Sequence, residues 1–387
     1  MKRKSSVTTK SSAAVTVGLD LGDRKHAICA LSEEAEVLHQ GTVPNSRESL
    51  TRLSRRYPGA LFVMEVGMHS PWTSRFLQDL GHRVLVANPR KVRAIYRNDR
   101  KSDRQDAEML ARLARSDESL LYPITHRSAR QQRDLLQIKL RDNLVRQRVD
   151  VISAVRFTLK SMGIRVGSPN TNCFARRARL TLESEHGEIL ALIEPSLAVI
   201  DAMTEQIRQL ERSLEELART EYPETEFLTQ VTGVGMLTSL TFILTIGDPL
   251  RFGRGRDVAA YLGLVPKRDQ SGDTDKQLRI WLRRPARRLR AAPCLSAAYL
   301  GSGPRLDSKG GDAYLRRLLV SAAQYILGPF GPDCRLREQG LKLAERGGPR
   351  ARKKAVVAVA RKLAVLLLAL WRDEAFYRPK RRRRQAA

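Results

Sequence analysis

Four acidic residues in the N-terminal third have a spacing that suits divalent metal binding. Asp20 lies within the run VTVGLDLG, and Glu65 closes the run LFVME. Carboxylates are costly to place at the ends of buried strands unless they are paired or bind a cation. Asp103 and Asp106 stand three residues apart in KSDRQDAEMLARLA, so on a helix they would project from one face. Two strand acids that face two helix acids would form an all-oxygen site for a hard cation such as Mg²⁺, with Mn²⁺ as a substitute.

The chemistry that such a site supports is phosphoryl transfer. Two metal ions held about 4 Å apart can activate a nucleophile and stabilise the leaving oxygen. Each acid alone also has a simpler interpretation, since an Asp at a strand end often forms a turn and Asp103 is suited to cap its helix. His26 and His69 are candidate general bases, with a structural role favoured for His26. Arg104 is expected to contact phosphate or to form a salt bridge.

Short β-rich runs between residues 15 and 114 predict the sheet that would position these acids. The runs are VTVGLDLG, HAICAL, EVLHQGTV, LFVME and RVLVAN. Only tight turns separate the first three, which predicts an antiparallel meander, and a helix over 71–80 that ends at Gly81 separates the last two. Three hairpin strands followed by strand, helix, strand and helix is the order of an RNase H-like fold. We therefore predict an α/β domain over 15–125.

Two apolar stripes predict a helical region over 126–222. Residues at steps of three, four and seven lie on one side of a helix. A break near 163–177 separates the stripes, which favours an antiparallel coiled-coil hairpin that serves oligomerisation, with two helices of an ordinary bundle as the alternative. The stripes comprise Leu136, Leu140, Leu144, Val151, Val155, Leu159 and Met162, and then Ile189, Leu192, Leu197, Ile200, Met203, Ile207, Leu210, Leu214 and Leu217.

The charge balance indicates a polyanionic partner. The 70 Lys and Arg residues exceed the 41 Asp and Glu residues by 29, and a surplus of this size repels itself unless an anion neutralises it. Nucleic acid fits better than a membrane surface, because the sequence shows no amphipathic anchor. Seven basic residues in 276–290 and thirteen in 349–384 predict phosphate-binding surfaces in a mostly helical domain over 223–375.

The remaining composition bears on cofactors and location. Four widely spaced cysteines form no CxxC pair, so neither a zinc site nor a disulfide framework is predicted. Residues 1–14 are predicted to be a disordered basic leader and 376–387 a basic tail. The apolar segment 355–371 contains Arg361 and Lys362, which indicates a core helix rather than a membrane span. We expect a soluble cytoplasmic protein, associated with the nucleoid of a prokaryote.

Segments along most of the chain resemble one protein family. VTVGLDLGDRKHAICAL, VMEVGMHSPW, GHRVLVANPRKVRA and RKSDRQDAEMLARLA resemble the DEDD, RuvC-like domain of insertion-sequence-110 family transposases. Downstream, VTGVGMLTSLTFILTIGDPLRFGRGRDVAAYLGLVPKRDQSG, SKGGDAYLRRLLV and RARKKAVVAVARKLAVLLLALW resemble that family's C-terminal transposase domain. The resemblance implies a metal-dependent DNA recombinase that acts on the DNA of its own mobile element.

The resemblance also implies roles for particular residues. Asp20, Glu65, Asp103 and Asp106 would be the family's acidic tetrad, and Ser271, in the QSG that follows GLVPKRD, its catalytic serine. Attack by that serine on a phosphodiester would leave a phosphoserine link and a free 3′ hydroxyl. The family further implies a noncoding bridge RNA that pairs with donor and target DNA. It also implies a homodimer or homotetramer in which the acidic domain of one subunit meets the serine domain of another.

Nucleic-acid contacts are predicted at three places in the C-terminal domain. Gly233-Val234-Gly235 fits a helix-hairpin-helix turn whose amides hold a phosphate, and an ordinary helix turn fits it equally well. The other two places are the segment SKGGDAYLRR and the start of the last basic run. The predicted contacts are Gly233, Gly235, Lys309, Arg316, Arg352, Lys353 and Lys354.

One segment departs from the family pattern. Ser308 of SKGGDAYLRR follows Ser271 by 37 positions, and a much shorter spacing separates these motifs in relatives. Residues 281–307 are therefore predicted to be an insertion, either a basic extension that contacts RNA or the trace of a frameshifted copy whose serine site is inactive. The competing functions are a structure-specific nuclease that uses the four carboxylates with water as the nucleophile, and a nucleic-acid-binding protein whose carboxylates are relics.

Overall fold

The structure is a computed structural model that describes residues 14–89, 92, 102–167, 170–183, 186–266, 268–271, 274–277, 312–345 and 347–379. The chain divides into two compact units, Met1–Arg127 and Ser128–Ala387. Several predictions lie outside the described residues: the insertion over 281–307, the contact at Lys309, and nearly all of the leader and the tail.

A five-stranded mixed sheet forms the described part of the N-terminal unit. Its strands lie in the order β3-β2-β1-β4-β5. β2 pairs antiparallel with β1 and β3, and β4 pairs parallel with β1 and β5, which confirms the predicted meander and the α/β class. The helix α1 is absent from the predicted elements. The elements are β1 (Thr16–Asp20), β2 (Lys25–Leu31), β3 (Val37–Pro44), α1 (Arg47–Arg56), β4 (Leu61–Glu65), α2 (Ser70–Asp79), β5 (Arg83–Ala87) and α3 (Asp103–Ser116).

Alternation along the strands gives this sheet two apolar faces. On one face, the strand residues Val17, Leu19, Phe62 and Met64 pack with Leu53 of α1 and Leu77 of α2. On the other face, Leu61 and Val63 pack with Leu110 and Ala114 of α3, and Cys29 packs with Ala107 and Ala111 of the same helix. Successive residues of a strand point to opposite faces. Gly18 and Asp20 therefore lie on the face that α3 covers.

The described part of the C-terminal unit is mostly helical, with one pair of short antiparallel strands. The helices are α4 (Ala129–Ser161), α5 (Phe174–Leu182), α6 (Gly187–Glu221), α7 (Thr225–Thr229), α8 (Met236–Ile246), α9 (Asp257–Tyr261), α10 (Ala313–Leu327), α11 (Arg335–Ala344) and α12 (Gly348–Arg372). The strands are β6 (Arg268–Ser271) and β7 (Thr274–Gln277).

The long helices α4 and α6 pack against each other in opposite directions. Arg141 Nε donates to Glu211 Oε1 at 3.0 Å, and Arg148 Nη1 donates to Thr204 Oγ1 at 3.0 Å. Residue numbers thus rise along one helix while they fall along the other. The two predicted helices are confirmed, and α5 occupies part of the predicted break.

The buried face of α4 matches the predicted stripe at Val155 and Leu159 but differs from it in the first half of the helix. Leu135 is buried, whereas Leu136 and Leu140 are 51% and 49% exposed. The physical reason is that two polar residues, Asp134 and Arg148, take positions in the buried face, where hydrogen bonds partly satisfy them. Because the prediction counts only apolar residues, it places the buried face of α4 on the neighbouring side of the helix.

The last helix lies in the core of the C-terminal unit. Ala360, Leu363 and Leu367 are fully buried, which confirms the predicted core helix over 355–371. Trp371 packs edge-on against Phe242 of α8, with 6.5 Å between ring centroids. None of the helices in the described part of the chain is long and apolar enough to cross a membrane.

Candidate active site

Asp20 and Glu65 end two neighbouring strands of the sheet. β1 and β4 run parallel with Leu19 opposite Met64, so the next residue along each strand is one of the two acids. Neighbouring strands lie about 4.8 Å apart. Glu65 is on the face that α3 covers, because Val63, two residues earlier, packs with that helix. Strand pairing therefore brings both carboxylates to one edge and one face of the sheet.

The direction of α3 brings its first turn to the same edge. A Cβ on Gly18 would lie 2.0 Å from the Ala107 carbonyl oxygen, so the helix rests directly on β1 where only glycine fits. Farther along the helix, Arg115 donates to the carbonyl of Glu33, which follows the end of β2. That end of β2 pairs with the start of β1. The helix therefore runs antiparallel to β1 and begins near its carboxyl end, where Asp20 lies.

Asp103 and Asp106 occupy the first turn of α3. Ser102 caps the helix by accepting a hydrogen bond from a first-turn amide at 3.3 Å, so the alternative in which Asp103 is the cap is wrong. Ala107 and Leu110 follow the two acids by four residues and are buried against the sheet. Residues four apart lie on the same side of a helix. All four predicted acids thus share one face and one edge of the sheet.

These four carboxylates offer an all-oxygen donor set of the kind that hard divalent cations prefer. Within the described residues, no three His, Cys, Asp or Glu side chains are grouped so that they could hold a metal ion. The fold therefore brings the acids to one edge of the sheet without closing them into a metal cage. Residues 93–101, which lead into α3, lie outside the described part.

The two candidate general bases differ in their surroundings. His26 is fully buried, and burial, together with the nearby charge of His69, lowers its pKa. A buried neutral ring does not reach a substrate, which supports the structural role favoured for His26. The Nε2 of His69 lies 3.3 Å from Asp23 Oδ1, and its Nδ1 accepts from Trp72 Nε1 at 3.4 Å. These contacts fix His69 at the start of α2, the helix that packs on the opposite face from the acids.

Ser271 lies in the C-terminal unit, at the end of β6. It pairs with Thr274 of β7. The four acids belong to the N-terminal unit. The residues of the predicted reaction are therefore divided between two separately packed parts of the chain.

The predicted nucleic-acid contacts have different surroundings. Gly233 has a φ of +82°, and a Cβ there would lie 3.0 Å from the Ala322 carbonyl oxygen, so the turn and its packing on α10 both require glycine. Gly235 is exposed and precedes α8. Arg316 is 8% exposed and donates to the Leu262 carbonyl at 3.1 Å, which turns its side chain toward the core. The remaining predicted contacts, Arg352, Lys353 and Lys354, are exposed on α12.

Two family models match the chain, one from the N-terminal unit into α4 and the other within the C-terminal unit. A transposase model for the DEDD domain of IS110 elements matches residues 17–164, a range that contains the four acids. The model described as Transposase IS116/IS110/IS902 family matches residues 225–300, a range that contains Ser271. The second match ends inside the segment predicted to be an insertion.

Curated relatives resemble the chain over most of its length. The "Probable family 20 transposase" of Pseudomonas aeruginosa is 27% identical over 94% of this chain and 98% of the relative. The "Transposase for insertion sequence element IS1111A" of Coxiella burnetii is 25% identical over 94% of this chain and 91% of the relative. The "Transposase for insertion sequence element IS1328" of Yersinia enterocolitica is 27% identical over 85% of this chain and 87% of the relative.

The two models describe domains of the same family and occur in the order that the sequence predicts. The relatives, all named as transposases and two of them as transposases of insertion sequence elements, align across both of these domains. The chain belongs to the IS110 family of insertion-sequence transposases, enzymes that cleave and recombine DNA.

Proposed function

We propose that this transposase cleaves DNA by metal-dependent phosphoryl transfer at the carboxyl ends of β1 and β4. The observation that carries the proposal is that three separate elements bring Asp20, Glu65, Asp103 and Asp106 to one face and one edge of a sheet. Carboxylates that share a site repel one another unless a cation or a proton neutralises them. The strand order and directions also support an RNase H-like, RuvC-like fold for this unit.

The proposed cofactor is Mg²⁺, with Mn²⁺ as a substitute, held by the four carboxylates. A bound cation of this kind supplies activation of a nucleophile and neutralises charge on the phosphate. Gly18 contributes by its lack of a side chain, because α3 can then approach β1 closely enough to bring the helix acids beside the strand acids.

Ser271 is the proposed nucleophile. Its Oγ attacks the phosphorus of a phosphodiester and forms an O–P bond, while the bond from phosphorus to the 3′ oxygen breaks. The serine loses its proton and the 3′ oxygen gains one, which leaves a 5′ phosphoserine link and a free 3′ hydroxyl. Attack by the 3′ hydroxyl of another strand reverses these steps and joins new partners. A serine hydroxyl is a weak nucleophile, so this attack requires a base or a metal ion to activate it.

A guide RNA would account for the charge of the protein. The surplus of 29 positive charges suits extensive backbone contact. We propose that a noncoding bridge RNA pairs with donor and target DNA, and that the protein holds the phosphate backbones. Base pairing would then supply sequence discrimination, as it does in other RNA-guided systems.

An apolar flank of the α4–α6 pair supports self-association. Leu136 and Leu140 of α4 are about half exposed, and Gln137 between them accepts a hydrogen bond from Ser213 of α6 at 3.3 Å. Leu210, one turn before that serine, therefore lies on the same flank. Exposed apolar patches commonly mark interaction surfaces. We propose that this flank joins copies of the chain into a homodimer or homotetramer, in which the acidic unit of one subunit serves the serine of another.

The test is a search for DNA covalently attached to protein. The purified chain would be incubated with the noncoding RNA that flanks its element, labelled donor and target DNA, and Mg²⁺. We expect a protein–DNA adduct that withstands denaturation and disappears in Ser271→Ala. Ser153→Ala, at a partly exposed serine of α4, is the matched control and should form the adduct normally.

Two other outcomes would identify the competing functions. Cleavage without an adduct, unchanged in Ser271→Ala, would show a nuclease that uses water. Binding of RNA and DNA without cleavage in either Mg²⁺ or Mn²⁺ would show a catalytically decayed copy. Either result would disprove the serine mechanism.

A further inference from the structure

A groove in the C-terminal unit combines an apolar floor with a basic rim. The cavity has a volume of about 450 Å³, a size that suits one nucleotide or another small ligand. Neither the four acids nor Ser271 lines it. Its lining residues are Arg254, Gly255 and Arg256 on one side and Val365, Leu368, Ala369 and Arg372 of α12 on the other.

The loop that forms one wall is held in place from both ends. A Cβ on Gly255 would lie 4.0 Å from Val365 Cγ1, so the loop backbone lies close to the helix. Just before the loop, the Arg251 guanidinium lies 4.9 Å from the ring centroid of Tyr261 and donates to the Ile246 carbonyl at 3.0 Å. At the other end of the loop, Arg256 is the residue directly before α9. The wall is therefore organised before any ligand binds.

The basic rim continues along the exposed face of α12. Lys354, Arg361 and Arg372 are separated by seven and eleven residues, close to two and three helical turns, so they lie on one side of the helix. Val365 follows Arg361 by four residues and belongs to the same side. At 1.5 Å per residue, this row of cations spans about 27 Å. The groove is thus one part of a longer positive track.

We infer that this groove binds a single-stranded segment of nucleic acid. Arg254 and Arg256 hold successive phosphates, and an unpaired base lies on the apolar floor at Val365 and Ala369. Charge complementarity selects a polyanion, and the apolar floor selects one whose flat bases are available for contact. In a duplex the bases are stacked and paired, so a duplex would leave the floor empty. The inference rests on the proposed function only in that the chain handles nucleic acid.

The test measures binding alone, without cleavage. Fluorescence anisotropy of the full chain in EDTA would compare labelled twelve-residue oligomers of uridine and of thymidine, a duplex of the same length and a poly-glutamate peptide, over a range of salt. The main variant is Arg254→Ala with Arg256→Ala. Its control, Arg212→Ala with Arg219→Ala, removes the same charge from exposed positions of α6. A third variant, Ala369→Leu, fills the floor without changing charge.

We expect the main variant to bind single strands at least about tenfold more weakly, with a salt slope reduced by about 1.4, which is the loss expected for two phosphate contacts. Ala369→Leu should also weaken single-strand binding, at an unchanged salt slope, and the control should change it less than about twofold. The uridine and thymidine arms show whether RNA or DNA binds more tightly, and either preference supports the groove.

Three results would overturn the inference. The first is an equal loss of single-strand affinity in the main variant and its control. The second is an unchanged single-strand affinity in Ala369→Leu. The third is a main variant that loses more affinity for the duplex or the peptide than for single strands. The assay contains no metal and reads no cleavage. If the chain binds single strands normally but forms no covalent adduct with DNA, the proposed function is disproved and the inference about the groove still holds.

Discussion

The two units of this transposase position their predicted functional residues in different ways. In the N-terminal unit the four acids stand at the ends of two paired strands and in the first turn of a helix that packs on them. In the C-terminal unit Ser271 ends the short strand β6 of a two-stranded pair, and one wall of the basic groove is a loop between helices. Regular elements fix a side chain through many backbone hydrogen bonds, whereas turns and loops depend on fewer contacts. The acidic edge is thus built into the fold, and the C-terminal positions depend more on local packing.

The largest effect is expected from neutralising an acid of the first turn of α3. Asp103→Asn keeps the side-chain shape and removes the charge, and removing one preorganised electrostatic group costs on the order of 10²–10³ in rate. We expect strand cleavage to fall by at least this factor while the unit still folds. The measurement is single-turnover cleavage of labelled donor DNA in Mg²⁺.

Asp79→Asn is the control for this variant. Asp79 is exposed at the end of α2, which packs on the opposite face of the sheet. The change in charge is the same, so cleavage should remain normal. Equal rates for Asp103→Asn and the unmodified chain would show that the acidic edge is not the active site.

The next effect concerns the close approach that holds α3 on the sheet. In Gly18→Val, a Cβ 2.0 Å from the Ala107 carbonyl oxygen must displace the helix backbone. Overpacking of this kind costs about 1–3 kcal/mol or more. We expect faster hydrogen exchange in β1 and α3 and unchanged exchange in the C-terminal unit. Gly67→Ala, where nothing lies within 4 Å, should leave both units unchanged.

These two units also differ in how far the sequence predicts them. The strands of the N-terminal unit follow from alternating apolar residues, and the acids follow from their place at strand and helix ends. The role of Gly18 is not predicted, although a glycine inside a strand is a general sign of close backbone approach. The helix α1 is not predicted either, although Ser46 caps it and Leu50 and Leu53 are its buried apolar residues.

The buried residues of the α4–α6 pair are predicted less well from the sequence, because polar residues occupy part of the buried face of α4. Arg148 is 5% exposed and donates to Asn172 and Thr204, yet a count of apolar residues excludes it from the buried face. The groove beside Arg254 is not predicted from the sequence either. Its two walls are about one hundred residues apart in the chain, and only folding brings them together.

A moderate effect is expected from a buried polar contact of this pair. The Tyr222 hydroxyl donates to Asp134 Oδ2 at 2.7 Å, and Asp134 is 2% exposed. In Tyr222→Phe the carboxylate loses this donor but keeps Arg133 at 3.5 Å and Arg130 at 4.0 Å, so the expected cost is that of one hydrogen bond, about 1 kcal/mol. We expect a lower free energy of unfolding and faster exchange in α4 and α6. Tyr325→Phe, at a half-exposed tyrosine of α10, should have little effect; equal losses would show that Tyr222 stabilises by packing alone.

The smallest effect is expected from mild acid, and it should differ between the units. Burial lowers the pKa of His126 to about 4, helped by the charges of Arg75 and Arg127, and burial also lowers the pKa of His26. Between the ordinary value of about 6.5 and these lowered values, the unfolded chain binds more protons than the folded one, so stability falls as the pH falls through this window. Of the six histidines only His186 lies in the C-terminal unit, so the loss should be confined to the N-terminal unit.

The measurement is hydrogen exchange of each unit at pH 7.0 and at pH 5.0, corrected for intrinsic rates. In His126→Gln the N-terminal unit should lose less protection between these pH values than in the unmodified chain, because one group that must bind a proton on unfolding has been removed. His186→Gln is the control, because His186 lies in the C-terminal unit and should leave the pH dependence of the N-terminal unit unchanged. If His126→Gln and the unmodified chain lose equal protection, burial of this histidine does not couple the stability of the acidic unit to pH.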